Sequence, residues 1–233
     1  MFIRGLSLLL VFMLISCGGD GPGYTLDNAP AGIYSGTVTP AGGSAEIATA
    51  VITSTGKVAL INVNTYEVFL GTRANNTFTG TLYASTSVPS TAVVTFVSGN
   101  NISGTYTSSL GGGSFALVAD PNLFNRTSEL SKLAGTWVDS VFTGSIGTST
   151  WVIQTDGSFT VATTSGCNAT GSFDVFNTIN NEYNLSMEIT NCLGINGSYT
   201  GLAFVSDKLN SNDIISLSFS NGSIGGLSEP VKQ

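Results

Sequence analysis

The sequence predicts an all-β protein: two tandem small antiparallel β-barrels or sandwiches, related by internal duplication, behind a signal peptide and a flexible tether. Three observations predict it. Val, Ile, Thr, Phe and Tyr alternate with small polar residues, and Gly- or Asn-rich turns interrupt them about every 8 to 12 residues. Four short segments recur later in the chain in the same order. Charged residues are only 9% of the chain, so solubility rests on Ser, Thr, Asn and Gly, a composition that suits sheet surfaces.

The first element is residues 1–16. Arg4 supplies a positive start and Leu6 to Ile15 an apolar run. At about ten residues it is too short to span a bilayer, where a helix needs about 20, so it reads as a signal peptide. Leu14-Ile15-Ser16-Cys17 resembles the lipobox of bacterial lipoproteins, apolar-x-small-Cys. The resemblance implies cleavage before Cys17 and acylation of that residue, palmitate among the chains, giving a membrane partner through the lipid. Two or more chains hold stably. In that family the residue after the Cys helps to sort the protein, and Gly18 rather than Asp there implies the outer membrane. Residues 17–30 are rich in Gly, Pro and Asp and read as a tether reaching roughly 20 Å.

The repeat divides the rest. Gly32-Ile33-Tyr34 matches Gly135-Thr136-Trp137, and residues 51–58 match 152–159. Residues 76–82 match 166–173 around a shared Thr-Gly, and 102–107 match 195–200. The expected organisation is a first β lobe over 31–120, a linker at 121–127, a second β lobe over 128–225 and a C-terminal tail at 226–233. The lobes are expected to be separable at the linker. Asp156-Gly157 between two alternating runs predicts a tight type I′ hairpin. Residues 128–133 suit one helical turn capped by Ser128. A short helical turn followed by Gly135-Thr136-Trp137 resembles the opening of lipocalins and related calycin-type (lipocalin/avidin-like) barrels, with Tyr34 in the Trp place of the first lobe. The resemblance implies that Trp137 plugs a barrel base with an Arg from the last strand packed on it; the late cations here are Lys208 and Lys232.

Cys167 and Cys192 remain in the body, and an exported chain makes a disulfide the expectation, against two buried thiols or half of a metal site. A hairpin pairing the apolar faces of 167–175 and 183–191 sets Val175 opposite Tyr183 and Asn191 opposite Cys167. An irregularity near Asn191 is then needed to bring Cys192 into reach.

Chemistry is sparse. The formal net charge is −7, and −8 without Arg4, which disfavours nucleic acid as a partner. There is no His, which removes His-based catalytic triads and the usual zinc sites. Gly111-Gly112-Gly113-Ser114 lacks the Lys and helix of a phosphate loop and reads as a hairpin turn. Asp139, Asp156, Asp174, Glu182 and Glu188 read as solvated surface charge, and 207–213 as a plain loop rather than a calcium site. The expectation is no enzyme, no catalytic residue, no metal and no cofactor. A non-catalytic protein binding a small apolar molecule or envelope partner fits, with Trp151, Tyr183 and Tyr199 as candidate ligand contacts. A structural or partner-docking surface lipoprotein without a cavity is the alternative.

Overall fold

The structure is a computed structural model and describes residues 31–62, 64–84, 89–97, 101–109, 111–142, 145–175, 177–207 and 210–233. Residues 1–30, where the signal peptide, the acylated Cys17 and the tether are expected, lie outside the described residues.

The first barrel comprises β1 (Gly32–Pro40), β2 (Glu46–Ile52), β3 (Lys57–Asn62), β4 (Glu67–Ala74), β5 (Thr77–Tyr83), β6 (Ser90–Val97), β7 (Asn101–Ser108) and β8 (Gly111–Ala119). All neighbours are antiparallel, and β8 returns to pair with β1, Tyr34 opposite Ala119, so the barrel is closed. The period-2 alternation sends Tyr34, Val38, Ala50, Phe69, Phe78, Val94, Phe115 and Leu117 inward. Thr37, Thr79, Thr95, Thr105 and Thr107 are left exposed outside. That is the reverse of the apolar-out pattern of a transmembrane barrel.

Two helical turns, α1 (Pro121–Phe124) and α2 (Leu130–Leu133), lead into the second barrel. Its strands are β9 (Gly135–Phe142), β10 (Ser145–Ile153), β11 (Ser158–Thr163), β12 (Asn168–Asp174), β13 (Tyr183–Thr190), β14 (Gly197–Ser206), β15 (Ile214–Ser220), β16 (Gly225–Ser228) and β17 (Val231–Lys232). The sheet closes because β17 pairs with both β15 and β9. Residues 226–233 are therefore not a tail. They carry most of β16 and all of β17, and without β17 the ring between β15 and β9 would be open.

The registers refine the repeat. Gly32 pairs with Ile52 and Ile52 with Val58; likewise Gly135 pairs with Ile153 and Ile153 with Phe159. Next, Val58 faces Gly71 while Phe159 faces Gly171. Gly171 thus corresponds to Gly71 on β4, and the Thr-Gly match of β5 to β12 is displaced by one strand. The match of β7 to β14 is displaced likewise. Thr-Gly recurs in several strands, so a local match does not fix which strand is equivalent.

Two local expectations change. Only Gly157 has positive φ (85°) at the β10–β11 turn, whereas type I′ needs it at both central residues. The turn instead runs Gln154–Gly157. The Gly157 N–H donates to Gln154 O and the Gln154 N–H to Ser158 O, and the Asp156 carboxylate accepts from Ser158 N and Oγ at 2.9 and 2.7 Å. Ser128 does not cap α2, whose N-cap is Glu129 without a side-chain bond. Ser128 is buried, and its hydroxyl donates to Asn177 O at 2.6 Å.

The disulfide forms as the register requires. Asn168 pairs with Thr190 and Asp174 with Asn184, the frame that sets Asn191 opposite Cys167. Asn191 has φ 56°, a left-handed break that Asn tolerates. It turns Cys192 inward, and Cys167–Cys192 bond with Cα atoms 4.6 Å apart.

The linker does not leave the lobes apart. Asp120 caps α1 by accepting from Leu123 N at 2.9 Å, and Pro121 starts the turn. This drives Phe124 into an apolar cluster with Ile33, Val51 and Ala59 of the first barrel and Leu202 and Phe204 of the second. A second patch joins Ile61 and Val68 to Leu227. The Ser54 hydroxyl and N–H donate to the two Glu182 oxygens at 2.6 and 3.1 Å, and Lys57 donates to Asn184 at 3.0 Å. Asn181 donates to Leu123 O and Val205 O and accepts from Val205 N. The two barrels pack against each other through the outer faces of β1–β4 and β14–β16.

Candidate functional site

Trp151, Tyr183 and Tyr199, the candidate ligand contacts, are together in the packed interior of the second barrel, each 0 or 1% exposed. Their polar atoms are occupied. Trp151 Nε1 donates to Ser149 Oγ at 3.1 Å, Tyr199 OH to Ile195 O at 2.8 Å, and Tyr183 OH bonds the Glu129 backbone. Burial raises the phenol pKa values of Tyr183 and Tyr199. Phe159, Phe173 and Phe219 fill the space around them. At the base, Trp137 is fully buried and donates to Leu133 O at 2.7 Å, with Lys232 Nζ 5.0 Å from its ring centroid. At the opposite end the disulfide lies over the interior.

Two of the five acids are not solvated. Glu182 is 1% exposed and spends its oxygens on Ser54. Asp139 is buried on β9 and accepts from the Ser228 hydroxyl and the Glu229 N–H, tying β16 to β9. The 207–213 loop directs its carboxylates to protein donors: Arg126 grips Asp207 at 2.6 and 2.7 Å, and Asp213 accepts from Asn210 N.

The open interior belongs to the first barrel. A cavity of about 190 Å³ enters at the end where β1, β3, β5 and β7 finish, between the walls Val38, Leu60, Phe69, Leu82, Val94 and Phe115. The registers explain it. Tyr34 faces Ala50 where Trp137 faces Trp151. Gly71 leads across the sheet to Gly80 and Ala92, where Gly171 leads to Met187 and Tyr199. Ala50, Val58, Gly80 and Ala92 thus stand where the second barrel has Trp151, Phe159, Met187 and Tyr199. Phe69 and Val94 replace Ala169 and Gly201 and return only part of that volume. The same layout that packs one barrel leaves the other hollow.

The mouth is polar and acidic. Asn62 is buried there; its Oδ1 accepts from Asn64 and Thr65 N–H, which orients its Nδ2 to donate to Glu46. Glu67 begins β4 on the same rim and lines the cavity with Tyr106. Gly113 lets the Tyr106 ring lie close, since a Cβ there would stand 2.6 Å from Cε1. Burial, and then the charges of Glu67 and Glu46, hold the Tyr106 phenol above its ordinary pKa. At the closed end Tyr34 is fully buried, and burial, partly offset by Arg73, pushes its pKa up to about 12.

These mouth residues were not candidates from the sequence. Glu46, Glu67 and Tyr106 are far apart in the chain and meet only on closure. The available signal was charge position: Glu46 and Glu67 both begin strands that start at one end, while Lys57 and Arg73 lie at the other.

Among the described residues no group of three or more His, Cys, Asp or Glu could hold a metal, and no helix is long and apolar enough to cross a membrane. Comparison with protein-family models, curated proteins and solved structures finds no match to this chain.

Proposed function

We propose that this protein is a lipid-anchored, non-catalytic component of the cell envelope that binds a small molecule with an apolar body in the mouth of its first barrel. The observation that carries the reading is the cavity: concave, mostly apolar, with a few polar groups gathered at its rim. Leu14-Ile15-Ser16-Cys17 supports the anchor, and Gly18 the outer membrane. The Cys167–Cys192 disulfide suits an oxidising compartment. The likeness to calycin-type barrels draws on α2 ahead of β9, on Trp137 at the barrel base and on the Lys232 ammonium over its ring. The filled second barrel favours the structural or partner-docking reading for that lobe alone.

Native mass spectrometry of protein purified from its own host tests both parts. The expected spectrum shows an acylated chain starting at Cys17 and a retained small molecule released on unfolding. A chain still cleaved before residue 17 and still detergent-extractable after Cys17→Ser would overturn the anchor. A parent protein that carries no small molecule would favour the docking reading instead.

A further inference from the structure

We propose that the first-barrel cavity takes an amphipathic amine, with an aryl or short alkyl body inside the barrel and a cationic nitrogen at the rim. The proposal rests on reading that cavity as a ligand site and names the chemical class it accepts.

Size limits the body. At about 190 Å³ the space is a little larger than the ~150 Å³ apolar cavity that admits benzene. One ring or a short chain fits, and a long acyl chain does not.

Charge limits the head. The first lobe contains three acids and two cations, Glu46, Glu67, Asp120, Lys57 and Arg73. Closure of the barrel sorts them by end. Glu46 starts β2 and Glu67 starts β4, so both carboxylates sit at the mouth. Lys57 starts β3, Arg73 is near the end of β4, and Asp120 follows β8, all at the closed end. Lys57 is also engaged with Asn184 of the other barrel. Among the described residues lining the cavity there is no Lys or Arg.

The rim groups also have fixed roles. Asn62 spends its amide on Glu46 and on two backbone N–H groups, which positions the Glu46 carboxylate. Among the described residues the Glu67 carboxylate has no hydrogen-bond or ion-pair partner, while its field reaches the Tyr106 phenol. An anionic head would meet two carboxylates in a partly desolvated rim. An ammonium would meet two acceptors and the Tyr106 oxygen.

The test uses three probes matched in body and differing in head: 2-phenylethylamine, 2-phenylethanol and phenylacetate. They are titrated calorimetrically into the full-length protein at low and high salt. The amine should bind roughly ten-fold more tightly than the alcohol, the scale of a charge-assisted hydrogen bond, with phenylacetate weakest. Salt should weaken the amine alone. Glu67→Gln should remove most of the amine's advantage and leave the alcohol within about two-fold; Glu46→Gln should act in the same direction. If amine and alcohol bind equally, and Ala92→Phe blocks both, the cavity stands as a ligand site and the amine assignment falls. If none of the three binds, both readings fall.

Discussion

Single residues in this chain do most of their work by holding chain segments to one another. Arg126 follows α1 and reaches the loop after β14, where its guanidinium grips both Asp207 oxygens, and the Asn212 N–H adds a third bond. The Arg126 hydrogen bonds, then the Asn212 N–H, hold the Asp207 carboxyl below its ordinary pKa. A carboxyl depressed on folding stabilises the fold above its ordinary value, near 4, and loses that contribution as pH falls through the lowered value. The Asp207 side chain is 44% exposed, so the effect is small. Asp207→Asn should cost no more than about 1 kcal/mol at pH 7 and should flatten the fall in stability below about pH 4. Urea midpoints of parent and variant from pH 7 to pH 2 check this; curves that stay parallel throughout would exclude the pair as a contributor. At this scale the sequence was legible where one side chain dictates local geometry, as with Asn191 and the cysteines. It was not legible for Glu182 and Asp139. A lone acid between polar neighbours reads as solvated until another strand is laid over it.

Elements were legible where alternation is long. The strands of both barrels follow the apolar periodicity, and the β12–β13 register follows from keeping one face apolar. The misses have a common cause. β17 has two residues and makes its pairs with the distant β15 and β9, so no local pattern can announce it. The Thr-Gly recurrence aligned β5 with β12 and hid the replacement of Met187 and Tyr199 by Gly80 and Ala92, the change that hollows the first barrel. The disulfide is the element-scale device unique to the second lobe, joining the start of β12 to the turn after β13 across 25 residues. Replacing both cysteines, Cys167→Ala with Cys192→Ala, should lower stability by about 2–4 kcal/mol, read as a lower denaturant midpoint with a slope equal to or steeper than the parent's, because the unfolded chain is released to expand. A shift under about 0.5 kcal/mol would mean that the β12–β13 hairpin needs no covalent closure.

At the scale of the whole molecule, the question is whether two barrels make two folding units. The duplication suggested independence, because interface positions such as Val51, Ala59 and Leu202 read as ordinary strand residues. One signal did point the other way. Leu202-Ala203-Phe204-Val205 is a continuous apolar run, the mark of a strand buried on both faces. Ala203 and Val205 face their own barrel core, while Leu202 and Phe204 face Ile33, Val51, Ala59 and Phe124. Burying Leu202 and Phe204 there contributes roughly 1.5–3 kcal/mol each, and the Ser54–Glu182 pair adds to it. Such coupling should make the native chain melt in one calorimetric transition, with calorimetric and van't Hoff enthalpies equal. Phe204→Ala removes a side chain from the contact without touching either barrel interior, at a cost of about 3–5 kcal/mol. Its loss should fall on the coupling and resolve the melt into two transitions. Reducing Cys167–Cys192 in that variant should then move only one of the two, the second barrel's, whereas in the parent it should move the single shared transition. Two transitions in the parent, or one undivided transition in Phe204→Ala that reduction shifts as a whole, would rule out a coupling that depends on this contact.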